Sequence, residues 1–202
     1  MLPNYARPIP FTLEYLNECF SYDPKSGDIV WKVRPLHHFT NKNSQGATNT
    51  QFAGLVAGHA KESRADKYYL QVGIGGSLYF AHRIIWYMMT GEDATFPIDH
   101  INGDGLDNRW ENLRRGDEIN LRNKSLHRNN TSGYNGIAWR NDNQKWRVRL
   151  AITQPDGTTR RITVGQFEPD ELHLAIKARD EAYIKYGYDP NHGKSREDRL
   201  ID

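Results

Sequence analysis

Residues 136–140, 145–153 and 160–165 form three stretches in which apolar and polar residues alternate. A period of two is the mark of a strand with one covered face, since successive side chains point to opposite sides. In the middle stretch Trp146, Val148 and Leu150 share one side while Arg147 and Arg149 share the other. Asn141-Asp142-Asn143 and Pro155-Asp156-Gly157, which separate the stretches, are hairpin-turn signals, so a three-stranded antiparallel meander is predicted. A helix is expected from about Pro169 to Tyr186, because Leu172, Ala175, Ile176, Ala182, Tyr183 and Tyr186 recur at the spacing of a face laid on a sheet. The tail from 188 to 202 reads as frayed and charged.

Upstream of this meander the polar run 129–133 has no apolar residue and marks the expected linker, so the expected units are 1–128 and 134–187. In the first unit, strands are expected at 28–33, after the Pro24-Lys25-Ser26-Gly27 turn, at 68–74 and at 77–80, forming one small antiparallel sheet. Residues 37–58, rich in Asn, Thr, Ser, Gln and Gly, are expected to be a long loop. A short buried helix at 82–90 should end at Gly91, followed by a strand at 98–101, a Gly/Asn/Asp turn at 102–107 and a second extended segment to Arg115. Asp117 is the expected N-cap of a helix through about His127. The fold class is therefore α+β.

No apolar run approaches the roughly 18 to 20 residues of a membrane helix, and residues 1–11 lack a secretory pattern. The single cysteine, Cys19, excludes a disulfide framework and a Cys-rich zinc site within one chain, and a reducing cytoplasmic setting is expected. The formal charge is only +2, but from Arg109 to Arg161 twelve basic residues stand against five acidic ones, so the remainder carries about −5. Such concentration suits a polyanion partner.

Asp99 and His100 sit together on the expected strand, with Asn120 and Asn123 on the expected helix. A carboxylate and an amide oxygen are hard ligands, suited to Mg²⁺, with Mn²⁺ as the alternative, rather than to zinc. An imidazole of ordinary pKa, about 6.5, can take a proton from water at neutral pH. Asn120 and Asn123 lie three apart and so share a helix face; Asn120 is the favoured ligand, with Asn123 as the other choice.

The sequence Asp99-His100-Ile101-Asn102-Gly103-Asp104-Gly105-Leu106-Asp107-Asn108-Arg109-Trp110-Glu111-Asn112-Leu113-Arg114 closely resembles the HNH nuclease family, in particular its phage and intron-encoded homing branch. The resemblance implies a strand-strand-helix (ββα-metal) core over about 79–128 that hydrolyses a DNA phosphodiester, in a phage-encoded protein acting inside a bacterial host. It puts the metal-binding acid on Asp99, the general base on His100, the middle structural asparagine on Asn112 and the helix metal ligand on Asn120. His100, Asn112, Asn120 and Asn123 are thus the catalytic candidates, and Asp99 and Asn120 the metal candidates. Tyr79-Phe80-Ala81-His82-Arg83 also looks like that branch, with His82 and Arg83 expected to give structural support.

Gly136-Ile137-Ala138-Trp139, the run from Lys145 to Leu150, and Val164-Gly165-Gln166-Phe167 resemble the ethylene-response-factor (APETALA-two) DNA-binding domain over roughly 132–187. Thr163 and Ala138 depart from the tryptophan and arginine usual in plant relatives. The implied partner is double-stranded DNA, read by Arg140, Arg147, Arg149 and Arg161 on one sheet face. Arg114, Arg115, Arg122 and Lys124 complete the DNA-binding candidates. The competing reading is a non-catalytic DNA-binding regulator derived from a nuclease. No obligate protein partner is evident.

Overall fold

The computed structural model describes residues 8–64, 67–116, 130–154 and 157–194. Backbone contacts divide the chain into two compact units, parting between Gly116 and Asp117. The architecture is α+β, with small antiparallel sheets and, among the described residues, four α-helices. No helix among them is long and apolar enough to cross a membrane.

The first unit opens with helix α1 (Leu13–Cys19), whose N-cap Thr12 accepts from the Tyr15 amide at 3.2 Å. Strands β1 (Phe20–Tyr22) and β2 (Ile29–Trp31) form a hairpin of their own. A second, separate sheet holds β3 (His59–Arg64), β4 (Lys67–Ile74) and β5 (Ser77–Phe80). The single amino-terminal sheet expected from the sequence is therefore two sheets. Strand β3, written in charged residues with little alternation, gave no period-two signal, and it is recruited by pairing with β4.

The segment expected to be a long loop is instead a 3₁₀ turn (Leu36–His38) followed by helix α2 (Lys42–Phe52). No residue of α2 is buried, which explains why apolar periodicity did not reveal it. Polar links fix it in place. Asn41 caps it by accepting from the Ser44 amide at 2.8 Å, and the Asn49 amide group both donates to Arg34 O and accepts from Arg34 N at 3.0 Å.

Helix α3 (Ala81–Thr90) follows β5 directly and stops at Gly91, whose φ of 76° is the left-handed cap that glycine takes without strain. Ile84 and Ile85 of α3 are fully buried against Leu16, Phe20, Ile29 and Val72, which form the core of this unit. Strands β6 (Ile98–His100) and β7 (Leu113–Arg115) then make a two-stranded sheet in the register Ile98↔Arg115, Asp99↔Arg114, His100↔Leu113.

In the second unit β8 (Ile137–Arg140), β9 (Lys145–Thr153) and β10 (Thr159–Phe167) form the expected meander, in the order β10-β9-β8. Helix α4 (Leu172–Lys185) covers one face, and Ile137, Val148, Leu150, Ala175 and Ala182 form the core between them. In the first turn the left-handed residue is Gln144, at φ 50°. A bulge between Thr163 and Gly165 lets Ile162, Val164 and Phe167 all reach that core.

Two polar stretches are better ordered than the sequence suggested. At the expected linker, Ser132 is buried and its hydroxyl donates to Ile137 O at 2.9 Å, tying 130–134 to β8. In the expected frayed tail, the Tyr188 hydroxyl accepts from Ala151 N at 3.1 Å and donates to Ala151 O, its ring stacks on Tyr183, and Asp189 and Asn191 are buried. One aromatic anchor explains the order, since Tyr188 closes onto the edge of β9.

Candidate active site

Sheet parity decides which face each residue of the β6–β7 ladder takes. Asp99 and Arg114 are register partners and meet on one face, where the guanidinium donates from Nε at 3.1 Å and Nη2 at 2.9 Å to Asp99 Oδ2. Both side chains keep about a quarter of their surface, 24% for Asp99 and 23% for Arg114. His100 takes the opposite face with Leu113 and is only 4% exposed.

The connection between the strands is tied by its own side chains. Asn112 is fully buried and its amide is engaged on both sides: Nδ2 donates to Asn102 Oδ1 at 2.9 Å and to Asp107 O at 2.7 Å, while Oδ1 accepts from Asn102 N at 2.9 Å. Asn102 Nδ2 donates to Asp107 Oδ2 at 2.7 Å, and Arg109 closes on the same carboxylate at 2.8 Å. The Arg109 hydrogen bonds hold the Asp107 carboxyl below its ordinary range. Asn112, a catalytic candidate from the sequence, therefore closes the loop and has no amide hydrogen left for a substrate.

Asn108, 2% exposed, performs the task that the sequence did not assign. Its Oδ1 lies 3.2 Å from His100 Nε2 while its Nδ2 donates to Leu106 O at 3.3 Å, so the imidazole donates from Nε2 and the neutral ring carries its lone pair on Nδ1. Burial lowers the His100 pKa below 6.5, and the Asn108 hydrogen bond offsets part of that shift. The ring is neutral at pH 7. His82 meets it edge-on at 5.1 Å, stacks on Phe80, and is driven well below 6.5 by its own burial. Arg83 is also buried and pairs with Asp93 at 2.5 Å. His82 thus packs behind His100, while Arg83 ties α3 to Asp93 and the Ala94 carbonyl.

The amino-terminal elements brace the loop. The Tyr22 hydroxyl donates to Asn108 O at 2.8 Å and the Trp110 amide to Pro24 O at 3.0 Å. At Gly27 the approach is so close that a Cβ would stand 2.6 Å from Arg109 N. Gly105 lies equally tight on β4, where a Cβ would meet Tyr68 O at 2.4 Å. No sequence signal joins residues 22–27 to 108–110.

Residues 79–116 match the HNH endonuclease family. The matched HNH segment runs from the end of β5 through β7 and includes Asp99, His100, Asn108 and Asn112. That match points to a nuclease and implies DNA as its substrate. Neither the curated proteins nor the solved structures gave a match. Of the remaining candidates, Arg115 is exposed with its guanidinium 3.9 Å over the Phe96 ring. Asn120, Asn123, Arg122 and Lys124 lie outside the described residues, as does the helix expected to carry them. For a divalent cation the described site offers the Asp99 carboxylate, a hard oxygen donor at a partly exposed strand edge, which fits Mg²⁺ by donor type.

In the second unit the register puts Arg140, Arg147, Arg149 and Arg161 on the sheet face opposite α4. Arg140 pairs with Asp142, whereas Arg147, Arg149 and Arg161 make no ion pair among the described residues. Desolvation, then the charges of Arg140 and Arg149, depress the proton affinity of Arg147, whose buried Nε has no hydrogen-bond partner.

Proposed function

We propose that this chain is a metal-dependent DNA endonuclease of the HNH homing type, carried to double-stranded DNA by the basic face of its second unit. The observation that supports it most directly is the state of His100 within the HNH-matched segment. Asn108 fixes its tautomer and burial keeps it neutral, so a lone pair is ready at Nδ1, on the strand face opposite the adjacent Asp99 carboxylate. A neutral imidazole is the form that can accept a proton from an attacking water.

Asp99 and Asn120, with Asn123 as the alternative helix ligand, would hold the cation, most simply Mg²⁺, which when bound supplies stabilisation of charge on the phosphate and the leaving oxygen. Arg114 shares the partly exposed edge with Asp99, where its planar fork suits a phosphate oxygen. Arg115 follows Arg114 on β7, Arg122 and Lys124 are further candidates for phosphate contact, and Asn112 holds the loop between β6 and β7 in shape. On the second unit, Arg140, Arg147, Arg149 and Arg161 serve as the DNA-reading face of an ethylene-response-factor-like module, and a phage-encoded enzyme fits this combination.

The direct test is plasmid cleavage by the full chain with Mg²⁺ and with Mn²⁺. Wild type nicks or linearises the plasmid, chelation stops it, and His100→Ala lowers the rate by about 10²–10⁴-fold, the range of a lost general base. A second reading, a non-catalytic DNA-binding regulator, is favoured by the Arg114 ion pair, which neutralises the carboxylate the cation needs. It gives salt-sensitive binding with no cut under any divalent metal.

A further inference from the structure

Three ligand-type side chains converge far along the chain from the Asp99–His100 centre. Glu18, in the last turn of α1, and His37 and His38, on the 3₁₀ turn after β2, have donor atoms all within 4.8 Å of one another. Glu18 Oε2 lies 2.9 Å from His37 Nε2 and 2.6 Å from His38 Nε2. Both imidazoles therefore present the same ring nitrogen to one carboxylate oxygen.

The arrangement is held in advance. The His38 side chain is fully buried, its ring is stacked on Tyr15 at 4.0 Å, and its other nitrogen, Nδ1, lies 3.5 Å from Cys19 Sγ. With Nε2 committed to a ligand bond, Nδ1–H would donate to that sulfur, the kind of second contact that orients a metal-binding histidine. Arg34, the nearby cation, is turned onto the Trp31 and Phe39 rings at 4.5 and 4.9 Å instead of pairing with Glu18.

We propose that Glu18, His37 and His38 bind one borderline transition-metal ion of the Zn²⁺ class. Two imidazole nitrogens and one carboxylate oxygen make a three-ligand tetrahedral set with the fourth position left to water. Ligand atoms about 2.0–2.1 Å from zinc stand ~3.3 Å apart, so each Glu18–histidine pair has only to open by about half an ångström. Nitrogen donors exclude Mg²⁺, which prefers oxygen. The ion would tie the end of α1 to the 3₁₀ turn that leads into α2, making it a structural clamp of the first unit.

The test uses the full chain, stripped with chelator and kept in excess Mg²⁺, with Co²⁺ as a spectroscopic probe and Zn²⁺ in thermal unfolding. Visible Co²⁺ absorption appears with wild type and with His100→Ala, and Zn²⁺ raises the unfolding midpoint of both. Glu18→Gln, which keeps the side-chain shape, and His37→Ala, at a side chain that is 64% exposed, each weaken Co²⁺ binding by about tenfold or more and remove the Zn²⁺-dependent rise. The proposal is overturned if wild type binds no Co²⁺, or if either variant binds it as tightly as wild type and keeps the rise.

Discussion

The β6–β7 loop and the outer face of the β8–β10 sheet are both rich in polar groups but use them in opposite ways. In the loop, Asn102, Asp107, Arg109 and Asn112 satisfy one another inside the fold, and Asn112 is buried with both amide hydrogens used. On the sheet, Arg147, Arg149 and Arg161 share a face without ion pairs among the described residues, and Arg140 and Arg149 repel Arg147 where an anionic partner could relieve the repulsion. Polar groups consumed internally fix geometry; those left uncompensated at a surface are available for binding.

The sharpest way to break the contrast is Asn112→Ala. It leaves Asn102 and the Asp107 carbonyl without their buried partner, and should cost roughly 2–4 kcal/mol of stability in denaturant unfolding. A loss below about 0.5 kcal/mol would mean that the loop does not depend on its internal bonds. Asn108→Ala comes next. Without the amide that fixes the His100 tautomer, cleavage should fall about ten- to a hundredfold. Because the Asn108 bond raises the His100 pKa, the acid limb of the rate profile should also move to lower pH.

On the sheet the expected signs reverse. Arg147→Ala and Arg149→Ala should leave the unfolding midpoint nearly unchanged, while each lowers the slope of log affinity against log salt by about one for each phosphate no longer neutralised. Unchanged slopes in both variants would remove the sheet from the DNA interface. The mildest effect concerns pH. His82 and His100 are held below 6.5 by burial, so the unfolded chain takes up protons more readily. Their stabilising effect is complete above about 6.5 and is lost as pH falls toward the depressed folded values. Urea midpoints should drop across that window, and less in His82→Phe. Asp107, held below 3.8 by Arg109, acts only at lower pH.

Local pattern made much of this legible. Alternation in 145–153 located β9 and its two faces, Gly91 marked the end of α3, and the spacing from Asp99 to Arg114 singled out the segment that the HNH family matches. Helix α2 was not legible, because its anchors are side-chain bonds to the Arg34 backbone rather than an apolar stripe. Asn108 was visible as part of a turn, but its role depends on the 3.2 Å approach to a ring eight residues away.

The sequence by itself determined the features that periods and spacings encode: an α+β chain, a basic meander, and an Asp-His pair ahead of an asparagine-rich turn. Tertiary structure alone decided that the Pro24–Gly27 turn braces the loop at Asn108 to Trp110, that Asp99 faces Arg114 while His100 is buried against His82, and that Glu18 meets two histidines some twenty positions on. Periodicity reports which way a side chain points from its own backbone. Which groups meet depends on packing between segments far apart in the chain, and on the desolvation that comes with it.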